Sequence, residues 1–210
     1  MKLYLSSYQL PTPEDVLRLI GKPVTDIRLA LIPNAKDYYA ERARNVKMAE
    51  KAAYLKTHGI QSEPVDLMRF SDAAILRDKL RTFDGLWVIG GNTFCLRYAM
   101  QHSGFDQIAA QLLTDDGLVY IGESAGACVV GTNLKGLEDA DNPAFTEQII
   151  WKGLGLLPNI ISPHADNPMY ADDIAHLREL YKDDPSLLEL NDDQALVVDN
   201  DRQTLVRRVD

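Results

Sequence analysis

The pentapeptide Gly122-Glu123-Ser124-Ala125-Gly126 fits G-x-S-x-G and directly follows the apolar run Leu118-Val119-Tyr120-Ile121. The string alone occurs often by chance. A strand before it and a helix start after it are the context in which it lifts a serine onto a tight turn as a nucleophile. The free N–H groups of such a helix start then face the oxyanion that forms on the attacked carbonyl. Ala125 N–H, just after the serine, is the natural first donor. Gly90-Gly91-Asn92 also ends an apolar run, Leu86–Ile89, before a helical stretch. Two glycines let backbone N–H groups point inward as an anion nest. Neither G-x-G-x-x-G nor a Walker lysine accompanies them, which counts against a phosphate site. Beside a serine nucleophile, Gly91 N–H is the better candidate for the second oxyanion donor, and Asn92 is grouped with it as a substrate-binding candidate.

A serine nucleophile needs a general base, and the chain offers four histidines. His58 and His102 each stand at a helix end just before a glycine or a Ser-Gly pair, where a polar ring suits the helix dipole. His176 lies within a charged helix beside Leu177 and Arg178. His164 differs: it follows the apolar strand Asn159–Ser162 and Pro163, at the edge of a sheet where ligands bind in open α/β folds.

The elements that must position these residues alternate strand and helix, the pattern of an α/β protein with a mainly parallel sheet flanked by helices. Strands are expected at Lys2–Leu5, Ile27–Ile32, Pro64–Leu67, Leu86–Ile89, Leu118–Ile121 and Asn159–Ser162. Helices are expected from Pro13 with Thr12 as N-cap, over Asp37–His58, and over Asp72–Phe83 with Ser71 as cap. Further helices are expected over Thr93–His102, Asp106–Leu113 and Ala171–Tyr181. Ala195–Val198 and Thr204–Val206, joined through Asp199–Arg202, read as a closing C-terminal β-hairpin. Thr132 to Glu147 is a long polar loop of the sort that borders sites. No repeat, low-complexity tract or linker interrupts the chain, so one domain over residues 1–210 is expected.

Composition excludes more than it proposes. The 210 residues carry 22 basic and 31 acidic side chains, a formal charge of −9. That balance disfavours nucleic acid and anionic membranes, which need cationic surplus. Cys95 and Cys128 sit in apolar surroundings and read as reduced core thiols. With no C-x-x-C and no paired histidines, no metal or cofactor is expected. Leu3-Tyr4-Leu5 is far short of a signal peptide's apolar core, and no run approaches a membrane span, so the cytoplasm is the expected location.

Taken in order, Gly90-Gly91-Asn92-Thr93-Phe94, Gly122-Glu123-Ser124-Ala125-Gly126-Ala127 and Pro163-His164 resemble the peptidase E family, which includes aspartyl dipeptidase and cyanophycinase. The resemblance runs from the first strand to the closing hairpin. It implies a class I glutamine amidotransferase-like (flavodoxin-like) fold and a serine peptidase acting on short peptides, as a monomer or homodimer. It implies Ser124 as nucleophile, His164 as base, and Gly91 and Ala125 as oxyanion donors. The family's third triad member is a glutamate in a late loop, and alignment on Ala195–Val198 places Asp192 there. Asp193, Asp139, Asp141 and Asp166 are the further candidates for that acid. Aspartyl dipeptidase carries an arginine after the histidine to bind its substrate's aspartate. Here Asp172-Asp173 falls near that position, with Arg178 further on, which argues against strict preference for an N-terminal aspartate. Two rival readings are an α/β-hydrolase-type esterase and an inert binding protein of the same fold. Against the first, the chain is short and has no HGGG-type motif.

Overall fold

The computed structural model describes residues 1–209. Five parallel strands form the body of a seven-stranded sheet: β1 (Lys2–Ser6), β2 (Arg28–Ile32), β3 (Gln61–Pro64), β4 (Gly85–Val88) and β5 (Val119–Glu123). The closing hairpin, β8 (Gln194–Asp199) and β9 (Arg202–Arg207), adds two antiparallel strands beside β1. The order across the sheet is β3-β2-β4-β5-β1-β8-β9. Parallel strands covered on both faces read as continuous apolar runs, as β1, β2, β4 and β5 do.

Alternate side chains go to opposite faces and build two cores. Leu3, Leu5, Ile32, Leu86 and Val88 face the layer made by α3 (Ala73–Leu80), α4 (Thr93–His102) and α5 (Phe105–Thr114). Tyr4, Leu29, Leu31, Trp87 and Ile121 face α1 (Pro13–Ile20) and α2 (Glu41–Thr57), which contribute Val16, Leu19, Met48 and Leu55. Because β1, β2, β4 and β5 run parallel, their carboxyl ends meet at one edge, and the candidate site sits there.

Several local expectations shift. After Pro33 the chain makes a 3₁₀ turn over Asn34–Lys36, so the long helix begins at Glu41 rather than Asp37. The third strand lies at Gln61–Pro64, three residues earlier than expected. It is a sheet edge with a largely solvated face, so its polar Gln-Ser-Glu start conceals it from a hydrophobic pattern. Asp72, not Ser71, caps α3, its Oδ1 accepting Ala74 N–H at 2.8 Å. Thr12 holds the N-cap position of α1 but spends its hydroxyl on Tyr4, 3.1 Å away. The largest revision concerns β6 (Ile160–Ser162). It stays out of the main sheet and pairs in parallel with a strand missed in the sequence, β7 (Leu187–Glu189). Between these two strands runs α7 (Ala171–Leu180), docked by Leu177 against Phe94, Leu134 and Leu137.

Candidate active site

Ser124 stands at the sharp turn between β5 and the short helix α6 (Ala125–Cys128), with φ +52° and ψ −111°. A side chain at positive φ persists only where its surroundings fix it. Here the Ser124 N–H donates to Ser6 O at 2.9 Å, and its carbonyl accepts from Ala127 and Cys128 at 2.7 and 3.0 Å. Helix α6 presses on the end of β4 so closely that a Cβ on Gly126 would lie 2.3 Å from Val88 O. Only glycine permits that approach, which is the local reason for the motif's final residue.

His164 also has positive φ, +62°, in the turn that leaves β6. Its ring is largely buried and stacks on Tyr170, with centroids 4.6 Å apart and planes 16° apart. Nε2 lies 3.0 Å from Ser124 Oγ, and Nδ1 lies 2.6 Å from Asp192 Oδ1. A carboxylate can only accept, so the Nδ1–H tautomer satisfies this geometry and leaves Nε2 facing the serine hydroxyl. Asp192 sits in the loop between β7 and β8. Its Oδ1 also accepts from Ser7 Oγ at 2.8 Å, and its Oδ2 from Asn167 Nδ2 at 2.8 Å. Burial opposes ionisation of Asp192 most strongly, but the hydrogen bonds from His164, Asn167 and Ser7 together outweigh it and hold its carboxyl below the usual range.

The four other acids are engaged elsewhere or exposed. Asp193 pairs with Arg207 at 3.1 Å, and Asp166 accepts the Asp192 N–H at 2.9 Å. Asp141 accepts the Thr93 N–H at 2.8 Å, at the start of α4, and Asp139 is exposed. Among the described residues none of these four hydrogen-bonds to His164.

Gly91 has φ +151°, and a Cβ there would lie 2.3 Å from Ala35 O, so no larger residue fits. A Cβ on the neighbouring Gly90 would lie 3.7 Å from Ser124 Oγ, which places the glycine pair beside the hydroxyl. Among the described residues, the N–H groups of Gly91 and Ala125 make no backbone hydrogen bond. Asn92 departs from its expected role. Its side chain accepts the Cys95 N–H at 2.9 Å, capping α4, and donates to Asn142 O at 2.9 Å. With both ends committed, Asn92 shapes the cleft wall rather than offering a free group to a ligand.

Ser124, His164, Gly90, Gly91 and Asn92 line a cleft of about 810 Å³. Its charges are segregated. On the β2 side, Lys36 enters with no salt-bridge or side-chain hydrogen-bond partner among the described residues, and burial lowers its ammonium from the usual lysine range. On the α7 side stand Asp141, Tyr170 and Asp173. Burial raises the carboxyls of both acids, and for Asp173 the neighbouring Asp139 and Asp172 add to it. Glu123 is neutralised by Lys51 Nζ at 3.1 Å and accepts Trp87 Nε1–H at 3.2 Å. Arg178 pairs with Glu189 at 2.7 Å and contributes nothing to the cleft lining.

His58 Nδ1–H donates to Tyr54 O, 2.9 Å away, at the end of α2, and His102 closes α4, so both remain helix-end residues. Among the described residues no group of three or more His, Cys, Asp or Glu is arranged to hold a metal ion. Sequence reasoning missed Ser7, Lys36, Asn167 and Tyr170. Ser7 had one signal, a polar pair closing an apolar strand at the sheet's carboxyl edge; the others had none of comparable clarity.

A hydroxyl, an imidazole and a carboxylate in this order, with free N–H groups alongside, are the parts of covalent acyl transfer. Comparisons with known proteins point to peptidases. The crystal structure of a candidate peptidase E from Listeria monocytogenes EGD-e superimposes with a TM-score of 0.79 at 20% identity, covering 98% of both chains. That likeness shows the fold, class I glutamine amidotransferase-like. An uncharacterized peptidase of Listeria innocua is 31% identical over 151 residues, 71% of this chain and 67% of the relative. Peptidase E of Actinobacillus pleuropneumoniae serotype 5b is 28% identical over 145 residues, 69% of this chain and 54% of that protein. Residues 5–206 match the profile of peptidase family S51, so the chain belongs to that family.

Proposed function

We propose that the chain is a serine peptidase that cleaves short peptides, dipeptides among them, through an acyl-enzyme on Ser124. The observation that carries this reading is the continuous path from Ser124 Oγ through His164 to Asp192, with spans of 3.0 and 2.6 Å. His164 Nε2 takes the hydroxyl proton as Oγ adds to the scissile carbonyl carbon. The oxyanion accepts from the N–H groups of Gly91 and Ala125. The imidazolium, stabilised by Asp192, returns the proton to the leaving nitrogen as the C–N bond breaks. Water then repeats the sequence to release the acid.

The cleft supports a small substrate, since about 810 Å³ is the scale of small-ligand sites. Its segregated charge supports an uncapped one. A substrate carboxylate finds Lys36, unpartnered among the described residues, while an ammonium group finds Asp141 and Asp173. Free, buried Cys95 and Cys128 favour a reducing compartment, and we place the enzyme in the cytoplasm.

A panel of dipeptides and simple acyl esters, assayed with the wild type and Ser124→Ala, tests the reading. Dipeptide cleavage by the wild type alone is expected. Ester turnover without dipeptide cleavage would support the esterase alternative, and turnover of neither would support an inert binding protein.

A further inference from the structure

The three residues of the proposed relay arrive on separate parts of the fold. Ser124 leaves β5 of the main sheet, His164 leaves β6 of the two-stranded sheet, and Asp192 precedes β8. Among the described residues no strand ladder joins β6 to the main sheet, so strand pairing does not set His164 relative to Ser124. Two consecutive residues at the end of β1 bridge the gap. Ser6 O accepts the Ser124 N–H at 2.9 Å. Ser7 Oγ accepts the His164 backbone N–H at 2.7 Å and donates to Asp192 Oδ1 at 2.8 Å. The Ser7 N–H also donates to Gln194 O at 3.3 Å, two residues after Asp192.

We infer that Ser7 is a positioning residue that holds base and acid in register with the nucleophile; this rests on the Ser-His-Asp reading above. A hydroxyl has one proton to donate and lone pairs to accept with. Because the Asp192 carboxylate only accepts and the His164 N–H only donates, both directions are fixed. The residue is 0% exposed, so water does not substitute for either bond. Neither Ser7 nor Asp192 lines the cleft, which separates this role from substrate binding. The His164 ring proton is directed at Asp192 at 2.6 Å, while Ser7 Oγ lies 3.4 Å from Nδ1. Ser7 therefore acts on the backbone of the base and the carboxylate of the acid, and leaves the proton path itself clear.

The test compares wild type, Ser7→Ala and Ser7→Thr by steady-state kinetics on a cleaved dipeptide and by the downfield proton resonance of the His164 Nδ1–H. In Ser7→Ala, kcat is expected to fall about 10- to 100-fold, the scale of small misplacements of catalytic groups. KM should stay within about twofold, a split that loss of uniform binding would not produce. The resonance should shift or broaden in Ser7→Ala and remain in Ser7→Thr, which keeps the hydroxyl and guards against a variant that merely unfolds. Wild-type kcat with an unchanged resonance in folded Ser7→Ala would overturn the inference. The resonance is read without turnover. A change there in a protein that cleaves no peptide would leave the positioning role standing and remove the peptidase reading instead.

Discussion

Ser124 Oγ and His164 Nε2 stand 3.0 Å apart, although the residues are 40 positions apart and leave different sheets. Both have positive φ, +52° and +62°, in a region that costs a non-glycine residue on the order of 1–3 kcal/mol. The surrounding hydrogen bonds hold that strain in place. The rest of the site is arranged around this pair.

Asp192→Asn should leave the fold intact and lower kcat by roughly 10⁴-fold with little change in KM. An amide presents its NH₂ or its oxygen to Nδ1 and no longer enforces the tautomer that frees Nε2, the effect known for such triads. Steady-state kinetics with far-UV circular dichroism as a fold control measures it. A variant with nearly full kcat would remove Asp192 from the relay.

Gly91→Ala should lower kcat by about 10²–10³-fold, the usual cost of one oxyanion donor. Its Cβ would lie 2.3 Å from Ala35 O, so the turn must move and take the N–H with it. Full activity together with unchanged stability would show that this N–H is not a donor to the reaction.

Lys36→Met should raise KM about tenfold for a dipeptide with a free carboxyl terminus, the scale of a hydrogen bond to a charged group. For the same dipeptide as its amide, KM should not change. Equal effects on both would show that Lys36 does not recognise the carboxylate.

Two acids of the site, one beside His164 and one in the cleft wall, predict opposite dependences of stability on pH. The folded state holds Asp192 below the ordinary value of 3.8, so its contribution is complete above that value and is lost as pH falls below it. Asp141 is raised above 3.8 by burial, so its cost appears as pH rises through the window just above 3.8. Thermal melts across pH 2 to 7 should show a shallower acid slope for Asp192→Asn than for wild type. Asp141→Asn should lack the decline with rising pH, while its amide oxygen still accepts the Thr93 N–H. Parallel curves for all three proteins would contradict both assignments.

Much of the fold was legible because its strands are buried on both faces and announce themselves as apolar runs, as at Arg28–Ile32 and Val119–Glu123. What escaped lies where that signal is weak. The edge strand Gln61–Pro64 is polar, and Leu187–Glu189 is three half-buried residues with no period to read. The placement of β6 outside the main sheet depends on that unseen partner. In the candidate site, Ser124 and His164 stood out because each follows an apolar strand, β5 of the main sheet and β6 of the two-stranded sheet. Asp192 came only through a resemblance, since one acid in an acidic loop carries no signal of its own. Ser7 and Lys36 matter through partners, or the absence of partners, more than twenty positions away in sequence. Asn92 shows the converse, a residue in a chemical motif whose side chain is spent on a helix cap.

The proposed relay makes Ser124 an activated nucleophile. Labelling the intact protein with a fluorophosphonate, followed by peptide mass mapping, tests it most directly. One phosphonyl group per chain on Ser124 is expected, with slow labelling in Asp192→Asn and none in Ser124→Ala. An unlabelled Ser124 in folded wild-type protein, or dipeptide hydrolysis that persists in Ser124→Ala, would contradict it.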